Sequence, residues 1–123
     1  MKNDKETTIQ ELKDLLREFR DKRDWAQFHD PKNLAEAILI EAGELQELFL
    51  WKNKEQIAKE LKENQEFRKE VGEELADVVI FCLNFANSVD INIASAVREK
   101  VAKNNAKYDT EKFKSSSVKY NKL

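Results

Sequence analysis

The sequence has few of the residues that break or cross-link a polypeptide. Its 123 residues include two glycines, one proline, one cysteine and one histidine. A single cysteine excludes a disulfide within the chain, and scarce turn residues argue against a fold of many short strands. One histidine excludes zinc sites with several histidines and the two-histidine di-iron centres of helical bundles. These shortages favour an all-α protein in a reducing compartment, which we expect to be the cytoplasm.

Long apolar runs and an excess of one charge are also missing. No run reaches the roughly 18 apolar residues that a membrane span needs, and the first residues, MKNDKETT, are too polar for a signal peptide. The net charge is −2, which gives no general attraction to nucleic acid or to a membrane surface. We therefore expect neither nucleic acid nor membrane as a partner.

Five stretches space their apolar residues at the helical intervals of three and four. Thr8 and Glu11 form a capping-box pattern, and Asp30 precedes the single proline. Asn53 and Asn92 are polar residues of the kind that cap the start of a helix. The predicted helices cover residues 8–23, 31–51, 53–61, 66–88 and 92–108. We expect one domain over residues 1–109 and a polar, flexible tail over residues 110–123.

Two pairs of acids lie where helices should be apolar. With about 100° of rotation per residue, Glu41 falls inside the apolar arc of the second helix and Glu44 at its edge. Glu74 and Asp77 repeat this placement on the long helix. Residues three apart share a face, so each pair points inward, where uncompensated carboxylates are costly. Mg²⁺, which prefers oxygen ligands, is the natural partner; ion pairs or solvated helix edges are the alternative.

The last predicted helix carries polar groups within its apolar arc. Lys100 and Asn104 lie inside this arc, and Lys107 lies at its edge. A cation and an amide that face inward suit the oxygens of a phosphate. The alternative is that Lys100 extends to solvent or neutralises one of the acids.

These spacings resemble those of the MazG-like nucleotide pyrophosphohydrolases, and most closely the dCTP pyrophosphatase branch of that family. The family pattern, ExxE, then ExxD, then KxxxN, stands here within EAGELQELFLW, EELADVVIF and EKVAKNNAKY. The resemblance extends upstream to RDWAQFHDPKNL and downstream to SSSVKY. Helical periodicity gives no reason for the upstream segment, which makes it the more specific signal.

The resemblance implies an oligomeric bundle of four to five helices that binds Mg²⁺ through the two acid pairs. It also implies that water attacks the α-phosphorus of a dNTP, with dCTP as one candidate, to give the monophosphate and pyrophosphate. The candidate catalytic residues are the four acids and Lys100. The candidate substrate-binding residues are Trp25, Phe28, His29, Trp51, Phe81, Lys100, Asn104, Lys107 and Tyr108. Where animal members carry a pocket histidine and a pocket tyrosine, this chain has Leu16 and Phe81.

Two other interpretations stay open. A related helical pyrophosphohydrolase would act on another nucleotide, such as dUTP or phosphoribosyl-ATP, whereas a helical interaction module would have no activity. The two tryptophans would then pack in the core or in an interface, as tryptophan usually does. Cys82 lies on an apolar arc and is expected to be an inert buried thiol.

Apolar residues outside the core arcs indicate self-association. On the second and the long helix these residues are Leu39, Ile40, Leu50, Val79, Ile80 and Leu83. A helix that is apolar nearly all round must be buried on more than one side. One chain of this length cannot cover both sides of two such helices, so we expect a homo-oligomer, either a dimer or a tetramer.

Overall fold

The computed structural model of the chain describes residues 2–115, which contain six α-helices, one 3-10 helix and no strand. The elements are α1 (Ile9–Lys22), the 3-10 helix (Ala26–Phe28), α2 (Pro31–Glu47), α3 (Lys54–Glu63), α4 (Gln65–Ser88), α5 (Ile93–Lys107) and α6 (Thr110–Phe113). The all-α prediction is confirmed. The predicted tail begins with the short helix α6, and its residues 116–123 lie outside the described part of the chain.

The chain divides into two units, Met1–Asp90 and Ile91–Leu123. In the first unit α1, α2 and α3 each pack against α4, which is therefore the central helix. The second unit contains α5 and α6. This division falls inside the predicted domain of residues 1–109, whose bounds stay a prediction.

Within the described residues, no single helix is long and apolar enough to cross a membrane. The helices α4 and α5 reach the required length and composition only when they are counted together.

Polar side chains cap the starts of the helices, as the sequence predicts. The side chains of Thr8, Asp30 and Asn92 each accept a hydrogen bond from the backbone N–H three residues later. Asn53 forms a complete capping box with Gln56, at 2.8 Å in both directions. Such caps satisfy backbone donors that the first turn of a helix leaves free, so they fix where each helix begins.

The predicted end of the second helix at residue 51 is wrong. The helix α2 ends at Glu47, and residues 48–51 form turns. There the backbone N–H groups of Leu48 and Phe49 donate to the carbonyl oxygens three residues earlier, which tightens the chain out of the α-helical pattern. Trp51 then adopts a left-handed conformation with φ of 66°. The apolar spacing continues through these turns, which is why periodicity alone overextends the helix.

The apolar core gathers where α4 meets α1 and α2. Its buried hydrophobic side chains are Leu34, Phe67, Leu83 and Ala86. The prediction that Leu83 lies outside the core is wrong, because Leu83 is only 4% exposed, whereas Leu75 on the same helix is 51% exposed. Because α4 packs against α1 as well as α2, its buried face differs from the arc that a single neighbouring helix would bury. Cys82 is half-buried with a free thiol.

A buried hydrogen bond joins α1 to α4. The Nδ2 atom of Asn87 donates to the main-chain carbonyl oxygen of Lys13 at 3.0 Å. Both residues are buried, and Asn87 Oδ1 has no hydrogen-bond partner among the described residues. A polar contact of this kind fixes the register of two helices more closely than apolar packing does.

Candidate functional site

Three of the four predicted acids come together between α2 and α4. Carboxylate oxygens of Glu41, Glu44 and Glu74 all lie within 4.8 Å of one another. Glu41 and Glu44 are three residues apart on α2, and Glu74 projects from α4, the helix against which α2 packs. We call these three residues the acidic cluster.

The acidic cluster carries negative charge without compensation. Glu41 Oε2 and Glu74 Oε2 are buried and have no hydrogen-bond partner among the described residues. Burial raises the pKa of Glu41, and the neighbouring Glu44 carboxyl raises it further. Burial likewise raises the pKa of Glu74, followed by the charges of Glu44 and Asp77. No ion pair between described residues includes any of these four acids.

The donor set of the acidic cluster fits a hard divalent cation. Two buried oxygens without partners are acceptors that the protein leaves free, and all the available donors are carboxylate oxygens. Such oxygen-only sets suit Mg²⁺ better than the softer transition metals. A positive ion would also remove the repulsion that raises the pKa values of Glu41 and Glu74.

Asp77, the fourth predicted acid, connects the cluster to a cavity. It is not among the three residues whose oxygens lie within 4.8 Å of one another. Its charge nevertheless raises the pKa of both Glu41 and Glu74. Asp77 also lines a cavity of about 290 Å³ between α1 and α4. The acidic cluster and the cavity are therefore neighbouring parts of one candidate site.

The cavity is largely apolar and aromatic. The helix α1 contributes Leu16, Phe19 and Arg20, and the segment that follows it contributes Trp25 and His29. The helix α4 contributes Asp77, Ile80, Phe81 and Asn84, which share one helix face. A cavity with flat rings and a few polar groups is the usual form of a site for a small planar ligand.

A sequence model of the MazG-like family matches residues 37–123 of this chain. The chain belongs to the MazG-like family. It is similar to dCTP pyrophosphatase 1 of Rattus norvegicus, with 36% identity over 118 residues that cover 96% of this chain and 69% of the relative. The Homo sapiens protein of the same name is 37% identical over 118 residues, with the same coverage.

A solved structure extends the likeness to the fold. A pyrophosphatase from Archaeoglobus fulgidus matches with a TM-score of 0.75 and 43% identity, over 82% of this chain and 92% of that one. The predicted family resemblance is confirmed. The named relatives also confirm the prediction of a MazG-like enzyme of the pyrophosphatase class.

The upstream segment of this MazG-like chain aims an indole ring into the cavity. Asp24 takes a left-handed φ of 52°, which turns the chain directly after α1. The Trp25 backbone N–H then donates to the carbonyl of Arg20 at 3.0 Å. The Trp25 ring meets the Phe19 ring edge-on at 5.8 Å, and the Arg23 guanidinium lies 3.6 Å from the Phe19 ring centre. The RDW residues of the segment therefore position the indole ring of Trp25 beside Phe19.

His29 lines the cavity in a half-buried position. Burial, followed by the positive charge of Arg20, lowers the pKa of the His29 imidazole. The neutral form is therefore favoured, and it offers one hydrogen-bond donor and one acceptor. His29 suits substrate contact better than a role as a permanent cation.

The other predicted ring residues are divided between the cavity and the surface. Phe81 lines the cavity, as does Leu16. Phe28 is exposed and Trp51 is 97% exposed, and neither lines the cavity. Their contact with a base stays a prediction.

The predicted phosphate-binding residues lie in the second unit. Lys100, Asn104 and Lys107 are on α5, and Tyr108 is its C-cap. Asn104 and Tyr108 are half-buried, whereas Lys100 and Lys107 are exposed. Their contact with a phosphate stays a prediction.

Four cavity residues were missed by the sequence-based prediction: Phe19, Arg20, Ile80 and Asn84. A signal for two of them was present, because Ile80 and Asn84 lie three and seven residues after Asp77 and so share its face on α4. Phe19 and Arg20 follow Leu16 by three and four residues and so share its face on α1. No local sequence pattern shows that α1 faces this side of α4. The residues from the two helices could therefore not be assigned to one cavity.

Proposed function

We propose that this chain is a Mg²⁺-dependent nucleoside triphosphate pyrophosphohydrolase that converts a dNTP to the monophosphate and pyrophosphate. One observation carries the proposal: three uncompensated carboxylates meet beside an aromatic cavity, and Asp77 belongs to the surroundings of both. This arrangement suits a substrate with a polyphosphate at one end and a flat base at the other. Relatives named dCTP pyrophosphatase 1 support dCTP as the first candidate.

The carboxylates would act as cation ligands and as a base. Glu41, Glu44, Glu74 and Asp77 would hold Mg²⁺. When bound, Mg²⁺ supplies charge neutralisation for the triphosphate and lowers the pKa of a bound water. One of the glutamates accepts the proton from the water that attacks the α-phosphorus. Lys100 and Asn104 are proposed to bind phosphate oxygens on the basis of the KxxxN spacing, with Lys107 and Tyr108 nearby in sequence.

The cavity would hold the base. Trp25 and Phe81 offer ring faces for stacking, which is favourable for every base. The apolar walls exclude water from the base and so strengthen any hydrogen bond made there. Trp51 and Phe28 are proposed as further base contacts from the surface, since their rings are exposed.

A product analysis tests the proposal. Purified protein is incubated with Mg²⁺ and each common dNTP and NTP in ¹⁸O-labelled water, with dUTP and phosphoribosyl-ATP as additional substrates. We expect a monophosphate that carries the label, together with unlabelled pyrophosphate. Orthophosphate with a diphosphate, or label in the pyrophosphate, would contradict attack at the α-phosphorus. A preference for dUTP or phosphoribosyl-ATP would reassign the substrate while keeping the reaction.

We also propose that the chain forms a dimer or a tetramer. Leu39 is 75% exposed, and Ile40, Leu50 and Val79 are exposed as well. Two other residues of the predicted outer set are placed differently, because Ile80 lines the cavity and Leu83 is buried. Light scattering should give a mass of about two or four times 14.4 kDa, and Leu39→Lys should lower it. A wild-type mass near 14.4 kDa would exclude the assembly.

A further inference from the structure

Asn84 is a buried amide that the protein itself does not use. It is 8% exposed, and its side chain lines the cavity. Among the described residues, no hydrogen-bond partner reaches its side-chain amide. One turn later, Asn87 is equally buried, but its amide donates to the Lys13 carbonyl. The Asn84 amide atoms are not among the fully buried side-chain atoms without a partner, so they stay accessible from the cavity. Asn84 is therefore placed to bond something that enters the cavity.

The position of Asn84 along α4 matches the base end of a nucleotide. Asn84 lies seven residues after Asp77, which is two turns on the same helix face. At 1.5 Å per residue this separation is about 10 Å along the helix axis. A nucleotide whose phosphates lie near Asp77 and the acidic cluster would therefore place its base beside Asn84. The residues between them on this face, Ile80 and Phe81, carry no hydrogen-bonding group.

Arg20 is the cationic side chain among the residues that line this cavity. Its Nε atom donates to Asp21 at 2.8 Å, and its side chain is 19% exposed. The two terminal nitrogens of the guanidinium have no hydrogen-bond partner among the residues that the structure describes. A guanidinium only donates hydrogen bonds. It therefore bonds acceptor atoms of a base: cytosine, thymine, uracil and guanine offer an exocyclic carbonyl oxygen, whereas adenine offers ring nitrogens alone.

We propose that Asn84 is the base-reading residue of this site and that Arg20 restricts it to bases with a ring carbonyl. The Asn84 amide offers a donor and an acceptor side by side, which match a neighbouring donor and acceptor on the polar edge of any base, adenine included. The discrimination against adenine therefore comes from Arg20. This inference rests on the proposed function. It gives the protein a source of selectivity in a cavity where Leu16 and Phe81 can supply none.

The test compares bases rather than absolute rates. Mixtures of dCTP, dTTP, dGTP and dATP are hydrolysed together, and ratios of kcat/KM are taken, since these ratios do not depend on the fraction of folded enzyme. We expect wild type to disfavour dATP. Arg20→Met should reduce the preference for the best carbonyl base over dATP by about tenfold, chiefly by slowing the preferred substrate. Asn84→Ala should lower kcat/KM of every dNTP relative to an abasic deoxyribose triphosphate by about tenfold, without removing that preference.

Matched variants distinguish a side chain that contacts the base from one that only stabilises the fold. Asn87→Ala should lower the Tm because it removes the bond to Lys13, yet leave the base ratios unchanged. Arg17→Met removes a guanidinium on α1 that pairs with Asp14 at 3.6 Å and does not line the cavity, and it should change neither. Asn84→Ala should retain the wild-type Tm, since its amide makes no bond in the fold.

Binding of products gives a second measurement without turnover. Calorimetry with dCMP and dAMP should show a preference in wild type that Arg20→Met loses, and Asn84→Ala should weaken the binding of both. The inference is overturned if wild type has no base preference, if Arg20→Met keeps it, if Asn84→Ala binds both products as tightly as wild type, or if only His29→Ala removes the preference. Hydrolysis of no nucleotide at all by wild type, with dCMP still preferred over dAMP, would instead overturn the proposed function and leave the base-reading role supported.

Discussion

The two sides of α4 differ in which chemical groups they leave without partners. Toward α2, Glu74 meets Glu41 and Glu44, and carboxylates crowd together with no positive partner among the described residues. Toward α1, the same helix borders an open cavity in which Asn84 is unbonded. The side toward α2 lacks a positive charge, and the side toward α1 lacks a ligand that would fill the cavity. A single helix can thus prepare two chemically different subsites, because the helical repeat gives each side its own set of residues.

The largest expected effect is loss of turnover when the acidic side is altered. Glu41→Gln or Glu74→Gln should lower kcat/KM by at least about 100-fold, the scale seen when one electrostatic group of an active site is removed. Both variants should remain folded by circular dichroism, because they remove repulsion. Glu36→Gln and Glu47→Gln, which alter exposed residues of the same helix, are the controls and should keep wild-type turnover. Substantial turnover by either cluster variant at saturating Mg²⁺ would refute its role as a ligand.

A smaller effect should follow when the cavity side is altered. Trp25→Ala should raise KM about tenfold, since a stacked ring contributes roughly 1–3 kcal/mol. Steady-state kinetics on the preferred dNTP measure this change. Trp51→Ala sharpens the comparison, because Trp51 was predicted together with Trp25 but lies outside the cavity. If Trp51→Ala raises KM and Trp25→Ala does not, the base lies elsewhere and the cavity assignment fails.

Mg²⁺ should stabilise the fold through the acidic side alone. At ten times its Kd, a ligand that binds only the folded state adds about 1.4 kcal/mol, or about 5 °C in Tm for a chain of this size. Thermal melts with Mg²⁺ and after chelation should show this shift in wild type and in Trp25→Ala. The shift should be lost in Glu41→Gln. Equal Tm values with and without Mg²⁺ in wild type would contradict a site already formed in the folded protein.

The smallest expected effect is a pH dependence of stability in the metal-free protein. The folded-state pKa values of Glu41 and Glu74 are raised above 4.5, so their protonated forms stabilise the fold, and this contribution is lost as pH rises through the raised values. Without metal, a Glu41→Gln, Glu74→Gln double variant should therefore melt above wild type at pH 7.5. The gap should narrow as pH falls towards 4.5. Equal Tm values of the double variant and wild type at every pH would show that the pKa values of these two carboxyls are not raised in the fold.

Local sequence was enough to predict most of the helices. The N-caps Thr8, Asp30, Asn53 and Asn92 are all where the sequence places them, because a cap depends on contacts within four residues. The turns after α2 were missed, since apolar spacing does not distinguish an α-helix from tighter turns. The 3-10 helix at Ala26–Phe28 was missed because it lies where the helical spacing is broken.

The site was predictable to different degrees on its two sides. Glu41, Glu44 and Glu74 were found by helical rotation alone, because an acid inside an apolar arc is anomalous wherever the neighbouring helix lies. Asn84 and Arg20 are polar residues at positions that no sequence pattern marks as unusual. Their shared place in one cavity is visible only when α1 is packed against α4. That placement is a tertiary fact, and it also decided that Leu83 is buried.

The bond from Asn87 to the Lys13 carbonyl has an evolutionary consequence. Its acceptor is a main-chain atom, which every amino acid supplies, so this bond puts no demand on the identity of residue 13. Residue 87, in contrast, must supply a side-chain donor of the right length. Over many generations this bond alone would constrain position 87 and not position 13, whose limits come from the burial of its own side chain, and α1 would keep its place against the cavity throughout.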